Sequence, residues 1–288
     1  MKKSKLAKVL TVSLAALMVF GLASCGGGSG EVSDKDITVI SREEGSGTRD
    51  AFTELTGVLQ DDVDKTVDTA EISNSTSVVT QSVAGNDAAI GYISLGSLDD
   101  TVKAVKVDGV EATVDNIKSG DYKIQRPFNI VTKGEVKELP ADFIKFIMSK
   151  DGQKIIEDEG YISVNENAEA YKASGLKGSI TLAGSTSVSP VMEVLADKYK
   201  ELNSGVTIEI QQTGSGAGIQ STTEGVCDIG MASRELKDEE TSQGLKSEEI
   251  ALDGIAVIVN KDNGVEDLSM DQIMKIFTGE ITNWADVK

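Results

Sequence analysis

Three times along this chain an apolar, β-branched run breaks into a short glycine–serine loop and passes straight into an amphipathic stretch. The loops are Glu44-Gly45-Ser46-Gly47-Thr48, Ala183-Gly184-Ser185-Thr186-Ser187 and Thr213-Gly214-Ser215-Gly216-Ala217-Gly218. A strand that runs directly into a helix needs a crossover to a neighbouring parallel strand, so the motif commits the chain to a layered α/β architecture. Spacing elsewhere agrees. It predicts strands over 36–40, 88–93, 104–107, 128–132, 179–183, 206–211 and 251–260, and helices over 48–59, 141–147, 153–159, 191–202 and 270–277. Only Pro127, Pro140 and Pro190 interrupt the pattern, and no short-period repeat is present.

The loops carry chemistry as well as topology. Small residues let backbone N–H groups approach a ligand, hydroxyls add donors, and the helix that follows presents its free N–H groups and positive dipole end. One such loop is ordinary capping and turn chemistry. Three of them, in a chain with four arginines among 28 basic residues, point to a bound oxyanion. Arg42 and Arg49 flank the first loop, and Arg234 closes the apolar run 228–234. A guanidinium fork matches a tetrahedral oxyanion in a way that an ammonium does not. Arg49 is assigned to a solvated helix face near Asp50 and Glu54, and Arg126 is left open.

Composition removes whole classes of function. The formal charge is −19, with 47 acidic residues, so the basic footprint of a nucleic-acid binder is missing. There is no histidine, which removes the Ser-His-Asp triad, the Cys-His pair and the usual zinc sites. No loop has the lysine of a P-loop, and 214–218 has the wrong spacing for a dinucleotide fingerprint. A phosphatase built on Glu43 and Glu44 with a metal would need a larger carboxylate cluster than the sequence offers. The expectation is a binding protein, not an enzyme, with no cofactor and no metal.

The first residues read as a leader. Lys2, Lys3, Lys5 and Lys8 precede an apolar run over 9–23, too short and wrongly flanked for a spanning helix. Its end, Leu22-Ala23-Ser24-Cys25, resembles a bacterial lipobox, which implies a signal peptide over 1–24, cleavage before Cys25 and lipid on that sulfur. Residues 25–35, with Gly26, Gly27, Gly28, Ser29 and Gly30, form a flexible tether. The protein is therefore expected outside the cytoplasm, anchored to the cell membrane through Cys25. Cys227 is then the remaining cysteine, a small buried hydrophobe, and no disulfide framework exists.

Six stretches together resemble one family: 37–52 (ITVISREEGSGTRDAF), 89–98 (AIGYISLGSL), 119–134 (SGDYKIQRPFNIVTKG), 180–190 (ITLAGSTSVSP), 206–236 (around TGSGAG and DIGMASREL) and 276–287 (IFTGEITNWADV). The chain is similar to the phosphate-binding subunits of bacterial phosphate ABC importers over nearly everything from 36 to 288. The resemblance implies a type II periplasmic-binding-protein fold, with two α/β lobes joined by two hinge strands. It implies a monomer that binds inorganic phosphate and hands it to membrane permease subunits. Another oxyanion such as sulfate, or a scaffold role, is the alternative. Carried over residue by residue, the anion contacts are Arg42, Ser46, Gly47, Thr48, Thr186, Ser187 and Ser215, with Ser233 and Arg234 beside them and Glu44 orienting the arginine.

The sequence departs from the family pattern in two ways. Better-known members follow G-x-S with an aspartate that accepts the proton of the phosphate, whereas here Ala232-Ser233-Arg234 stands at that place. Glu43, Glu44 and Glu235 are the candidate substitutes. The order of motifs is also exchanged: members begin with the strand-GSTS-helix unit and reach SREEGSGTR later. Joining Lys288 to Gly30 would restore that order, so the chain is read as circularly permuted or as a cut from a tandem duplication. Lobe two is then discontinuous, 36–126 plus 256–288, and lobe one is 127–255. Hinge strands are expected near 125–132 and 250–259.

Overall fold

The structure, a computed structural model, describes residues 34–287. The proposed leader, the lipidation cysteine Cys25 and most of the tether lie outside the described residues. In chain order the main strands are β1 (Thr38–Arg42), β2 (Glu71–Ser73), β3 (Ala89–Ser94), β4 (Val102–Ala104), β5 (Gln125–Lys133), β6 (Ile162–Ser163), β7 (Gly178–Gly184), β8 (Val206–Gln212), β9 (Ile229–Ala232) and β10 (Leu245–Asn260). The helices are α1 (Gly47–Thr56), α2 (Thr76–Ala84), α3 (Val114–Lys118), α4 (Glu138–Ile147), α5 (Lys150–Asp158), α6 (Ser189–Leu202), α7 (Ser215–Glu224), α8 (Asp238–Thr241) and α9 (Met270–Phe277).

The ten strands form one curled sheet in the order β8-β7-β9-β5-β10-β3-β1-β2, with β4 and β6 paired to β10. Parallel pairs sit towards both ends: β7 with β8 and β9, and β1 with β2 and β3. The middle is antiparallel. Strand β10 pairs with β5 from Leu245 to Gly254 and then changes partner, pairing with β3 from Ile255 to Val259. Two lobes result, joined by β5 and β10. Both expected hinge strands lie within these two elements. Strand β10 starts earlier than its apolar pattern suggested, because 246–249 is polar and exposed yet still hydrogen-bonds to β5.

Packing follows the lobes. One apolar cluster takes Val39, Phe52, Tyr92, Ile117, Ile255, Val257, Ile276 and Trp284, and another takes Phe128, Phe143, Phe146, Ile180, Leu195, Tyr199 and Ile229. Along β10 the side chains alternate: Ile255, Val257 and Val259 enter the first cluster, while Ala256 and Ile258 face Val79 and Val83 of α2 on the other side of the sheet. Burial on both faces is why this segment reads as a continuous run of Ile and Val. The expected helix over 48–59 stops at Thr56, where Gly57 adopts the left-handed conformation at φ 76°. The single strand expected over 104–107 divides at Val105: β4 pairs with β10, and Lys106–Val107 pairs with Asp267–Leu268. No helix among the described residues is long and apolar enough to cross a membrane.

Candidate functional site

The edge of β1 delivers Arg42 to the seam between the lobes. Its side chain is 2% exposed, and its backbone N–H donates to the Tyr92 hydroxyl at 3.2 Å. Tyr92 is itself fixed: Phe52 stacks on it at 3.9 Å between centroids, and its hydroxyl shares a 2.8 Å bond with Ser41 Oγ. Burial pushes the Tyr92 phenol up to about 12, so it stays neutral. The Arg42 fork grips Glu43 with two 2.8 Å bonds, Nε to Oε2 and Nη2 to Oε1. Nη2 also reaches across the seam to Thr186 Oγ1 at 3.1 Å.

Around that guanidinium the loops bring their hydroxyls together. Ser46 caps α1 with its Oγ accepting from Arg49 N–H at 3.4 Å, which leaves Gly47 and Thr48 as the first helical residues. Thr48 Oγ1 lies 2.9 Å from Ser187 Oγ of the other lobe. Ser185 Oγ donates to Ser233 Oγ at 2.9 Å, and Ser215, the first residue of α7, lies 3.3 Å from the same Ser233 hydroxyl. All of these hydroxyls are buried. The backbones close in as well: Gly216 N–H donates to Gly45 C=O across the seam at 2.9 Å. Glycine is required at Gly184, where φ is +144° and a Cβ would stand 2.2 Å from the Met231 carbonyl.

Sequence reasoning missed one member of this nest. Thr76 Oγ1 lies 3.3 Å from both Thr186 Oγ1 and Ser187 Oγ. It opens α2, a segment of valines, serines and threonines (TSVVTQSVA) with no helical signal strong enough to be read. The N-terminal S-x-x pattern from Ser75, whose Oγ accepts from Val78 N–H, was the available clue. With Thr76 included, the first turns of α1, α2 and α7 and the loop leading into α6 meet at one place. Uncharged donors and helix dipole ends on every side are suited to holding a desolvated anion.

Two of the expected contacts are corrected. Glu44 is exposed, and its neighbour Glu43 holds the arginine instead, because the chain turns at Gly45 (φ 80°) and sends Glu43 inward. Arg234 does not face the nest. Its Nη1 and Nη2 form a bidentate pair with Glu240 at 2.8 Å, and its Nε approaches Asp50 Oδ2 at 2.9 Å. Burial opposes the charge on Arg234, but Glu240 and Asp50 outweigh it and hold the guanidinium more firmly protonated than usual. The same exchange holds Glu240 below the usual carboxylate range despite its partial burial. Arg49 pairs with Asp64 at 2.7 Å and donates to the Arg42 carbonyl at 2.8 Å, so it braces β1 instead of lying free on a helix face. Of the candidate proton acceptors, Glu235 is engaged with Asn129 at 3.4 Å, and Glu43 is the one at the guanidinium.

Arg126 has a structural post behind the nest. It pairs with Asp253 where β10 changes partner, at 3.1 Å, with both side chains essentially inaccessible. Arg126 Nη1 donates to Ser233 C=O at 3.2 Å, and Ser94 of β3 donates to Asp253 Oδ1 at 2.9 Å. One ion pair is thus tied to both lobes.

The fold matches that of known proteins. A model of the PBP superfamily domain matches residues 29–151 and 169–288. The phosphate-binding protein PstS 2 of Streptococcus agalactiae serotype V is 52% identical over 100% of this chain and 99% of its own length. The crystal structure of a phosphate ABC transporter phosphate-binding protein from Streptococcus pneumoniae TIGR4 is 49% identical, covers 88% of this chain and 100% of its own, and superposes with a TM-score of 0.72. The chain belongs to the PstS family of the PBP superfamily. A third PstS, from Bacillus subtilis, is 38% identical but over 43% of each chain only. The Streptococcus agalactiae relative thus matches this chain from end to end, whereas the Bacillus subtilis one matches less than half of it.

Proposed function

We infer that the protein binds inorganic phosphate outside the cytoplasm and delivers it to the membrane subunits of a phosphate ABC importer. The observation that carries this reading is the nest itself. A buried arginine, the loop hydroxyls and the N-terminal turns of several helices from two lobes meet at the seam, as enclosing a tetrahedral oxyanion requires. Phosphate would take the place of the hydroxyl-to-hydroxyl bonds that now span the seam, and the lobes would part to admit and release it. Arg42, Ser46, Gly47, Thr48, Thr76, Thr186, Ser187, Ser215 and Ser233 are its proposed contacts. Nothing in this mechanism calls for turnover. The proposed anchor is the lipid on Cys25, which would keep an acidic protein beside its permease without a spanning helix.

Selectivity is assigned to Glu43. Its carboxylate is the one that meets Arg42, so it would accept the proton of a phosphate and repel sulfate, which carries none. Calorimetric titration of the domain lacking its leader, first stripped of anion, tests both statements. Phosphate should bind tightly and sulfate about a hundredfold or more weakly, a discrimination in the range of an unpaired polar contact. Glu43→Gln should close most of that gap. Sulfate binding as well as phosphate in the parent protein would overturn the assignment.

Gly47 provides a steric check on closure. A Cβ there would stand 2.5 Å from Ser215 Oγ, 2.8 Å from Ser233 Oγ and 3.1 Å from Ser215 Cβ, all in the opposite lobe. Gly47→Ala should therefore weaken phosphate binding about tenfold, the cost of a modest overpacking, with little change in unfolding temperature. An unchanged affinity would mean that the lobes do not meet there when ligand is held.

The exchanged order of motifs is proposed to be a circular permutation. The two ends of the described chain meet: Ile37 N–H donates to Thr282 C=O at 2.8 Å, and Trp284 N–H to Lys35 C=O at 2.9 Å. The residues between β6 and β7, 164–177, form no regular element and would join what are the two termini in the usual order. A collinear comparison across a permutation can match only one part, as the Bacillus subtilis relative does. The lobes are then 36–126 with 256–288, and 127–255, a division supported by the two apolar clusters, although Ile162 and Ile255 of the latter pack into the first cluster.

A further inference from the structure

We propose that Arg234 and Asp50 form a charged clasp between the lobes, which sets how long a bound anion is retained. The proposal rests on the reading of the seam as a phosphate site. Asp50 stands in the first turn of α1, the helix whose first residues, Gly47 and Thr48, face the nest. A carboxylate at that position works against the purpose of the helix, since it repels the anion that the helix terminus attracts. It can be tolerated only if a cation neutralises it when the site is occupied.

Arg234 is that cation, and it comes from the other lobe. It follows β9, directly after the nest residue Ser233. Within its own lobe the guanidinium is already held by three bonds: two to Glu240 at 2.8 Å and one from Nη1 to the Glu235 carbonyl at 2.8 Å. Glu240 is fixed in turn by the Lys237 N–H at 2.8 Å. The fork is therefore set before closure, with its Nε edge directed across the seam. Asp50 Oδ2 and Arg234 Nε lie 2.9 Å apart as an ion pair, both atoms are buried, and neither is aligned for a hydrogen bond with any described group. Lys237 adds a second positive charge 3.9 Å from the same oxygen.

The consequence is a contact that exists only in the closed state. With the lobes apart, Asp50 and Arg234 Nε are solvated separately. On closure each loses water and gains the other, while the Asp50 charge is removed from the field felt by the anion. Such a contact acts on the dissociation rate, because it must break before the anion can leave. Arg234 is thus a positioning residue and not an anion ligand.

Asp50→Asn decides the matter by the sign of its effect. If Asp50 is only a stray negative charge near an anion site, neutralising it strengthens phosphate binding. If it is one half of the clasp, neutralising it weakens binding, by about tenfold and through faster dissociation. Affinity is read by calorimetry and release by displacement of radiolabelled phosphate. Arg234→Gln should weaken binding similarly, and in that background Asp50→Asn should bring no further loss. An affinity for the Asp50→Asn variant within twofold of the parent, or tighter, overturns the clasp and leaves the phosphate reading intact. A parent protein that binds no phosphate overturns both.

Discussion

Arg42→Lys is expected to lower phosphate affinity by a hundredfold or more, about 3 kcal/mol, while leaving the fold stable. The guanidinium serves two partners at once. One edge holds Glu43 through Nε and Nη2, and Nη2 also reaches Thr186 in the opposite lobe at 3.1 Å. A bound oxyanion would take the Thr186-facing side without displacing Glu43, because the fork is planar and offers five donors. A lysine ammonium is a point charge and must choose. Its nearest carboxylate is Glu43, which would draw it away from the anion. Stability should change little, since Glu43 is a quarter exposed and keeps a cationic neighbour or water. Calorimetry with phosphate and a urea titration of the ligand-free protein separate the two effects. Affinity retained within threefold would show that backbone and hydroxyl donors alone hold the anion.

Arg126→Met is expected to act on stability, with a cost of about 3 kcal/mol at neutral pH. The Arg126–Asp253 pair is sealed from solvent at the crossing of the hinge strands. Losing the cation leaves a buried carboxylate with Ser94 as its remaining side-chain donor. The pH dependence follows from the direction of the Asp253 shift. Burial pushes this carboxyl up to about 6 even with Arg126 beside it, and removing Arg126 raises it further. A carboxyl whose folded pKa lies above its unfolded value binds more protons in the folded state. Its favourable contribution is complete below the ordinary value of 3.8 and is lost as pH rises through the folded pKa. The variant should therefore be weakest at pH 7 and above, and should recover towards pH 4. Arg126→Met combined with Asp253→Leu should return to within about 1 kcal/mol of the parent and lose the pH dependence. A deficit in the single variant that is constant with pH would rule out Asp253 as its source. The double variant should still bind phosphate less well, because Ser233 and Ser94 lose the pair that ties them to the hinge.

The loops show how much local chemistry could reveal. Gly45–Thr48, Gly184–Ser187 and Thr213–Gly218 were recognisable because strand, glycine, hydroxyl and helix follow one another within a few residues, and each feature has its own local cause. Arg42 was recognisable because it stands beside such a loop in an arginine-poor chain. Helix α2 was not, because a segment of β-branched and hydroxyl residues has no strong intrinsic preference for a helix. It forms here because Val79 and Val83 are driven onto the sheet beside Ile40, Ala256 and Ile258. Thr76 came into the nest only as a result of that packing. Glu43 and Glu44 are adjacent and chemically alike, and the turn at Gly45 alone separates the one that faces inward from the one in water.

By itself, then, the sequence determined the layered α/β class, the two crossing strands, the three glycine–hydroxyl loops and the family. Periodicity, glycine and capping residues act over a few positions and leave their mark in order along the chain. The tertiary structure alone decided the partner of each charge. Arg234 lies next to a nest residue and yet turns to Asp50 and Glu240, and Arg126 finds Asp253 more than a hundred residues away. The cost of a buried charge depends on every group that surrounds it after folding, and those groups come from both lobes. No local pattern in the chain encodes which of them will meet.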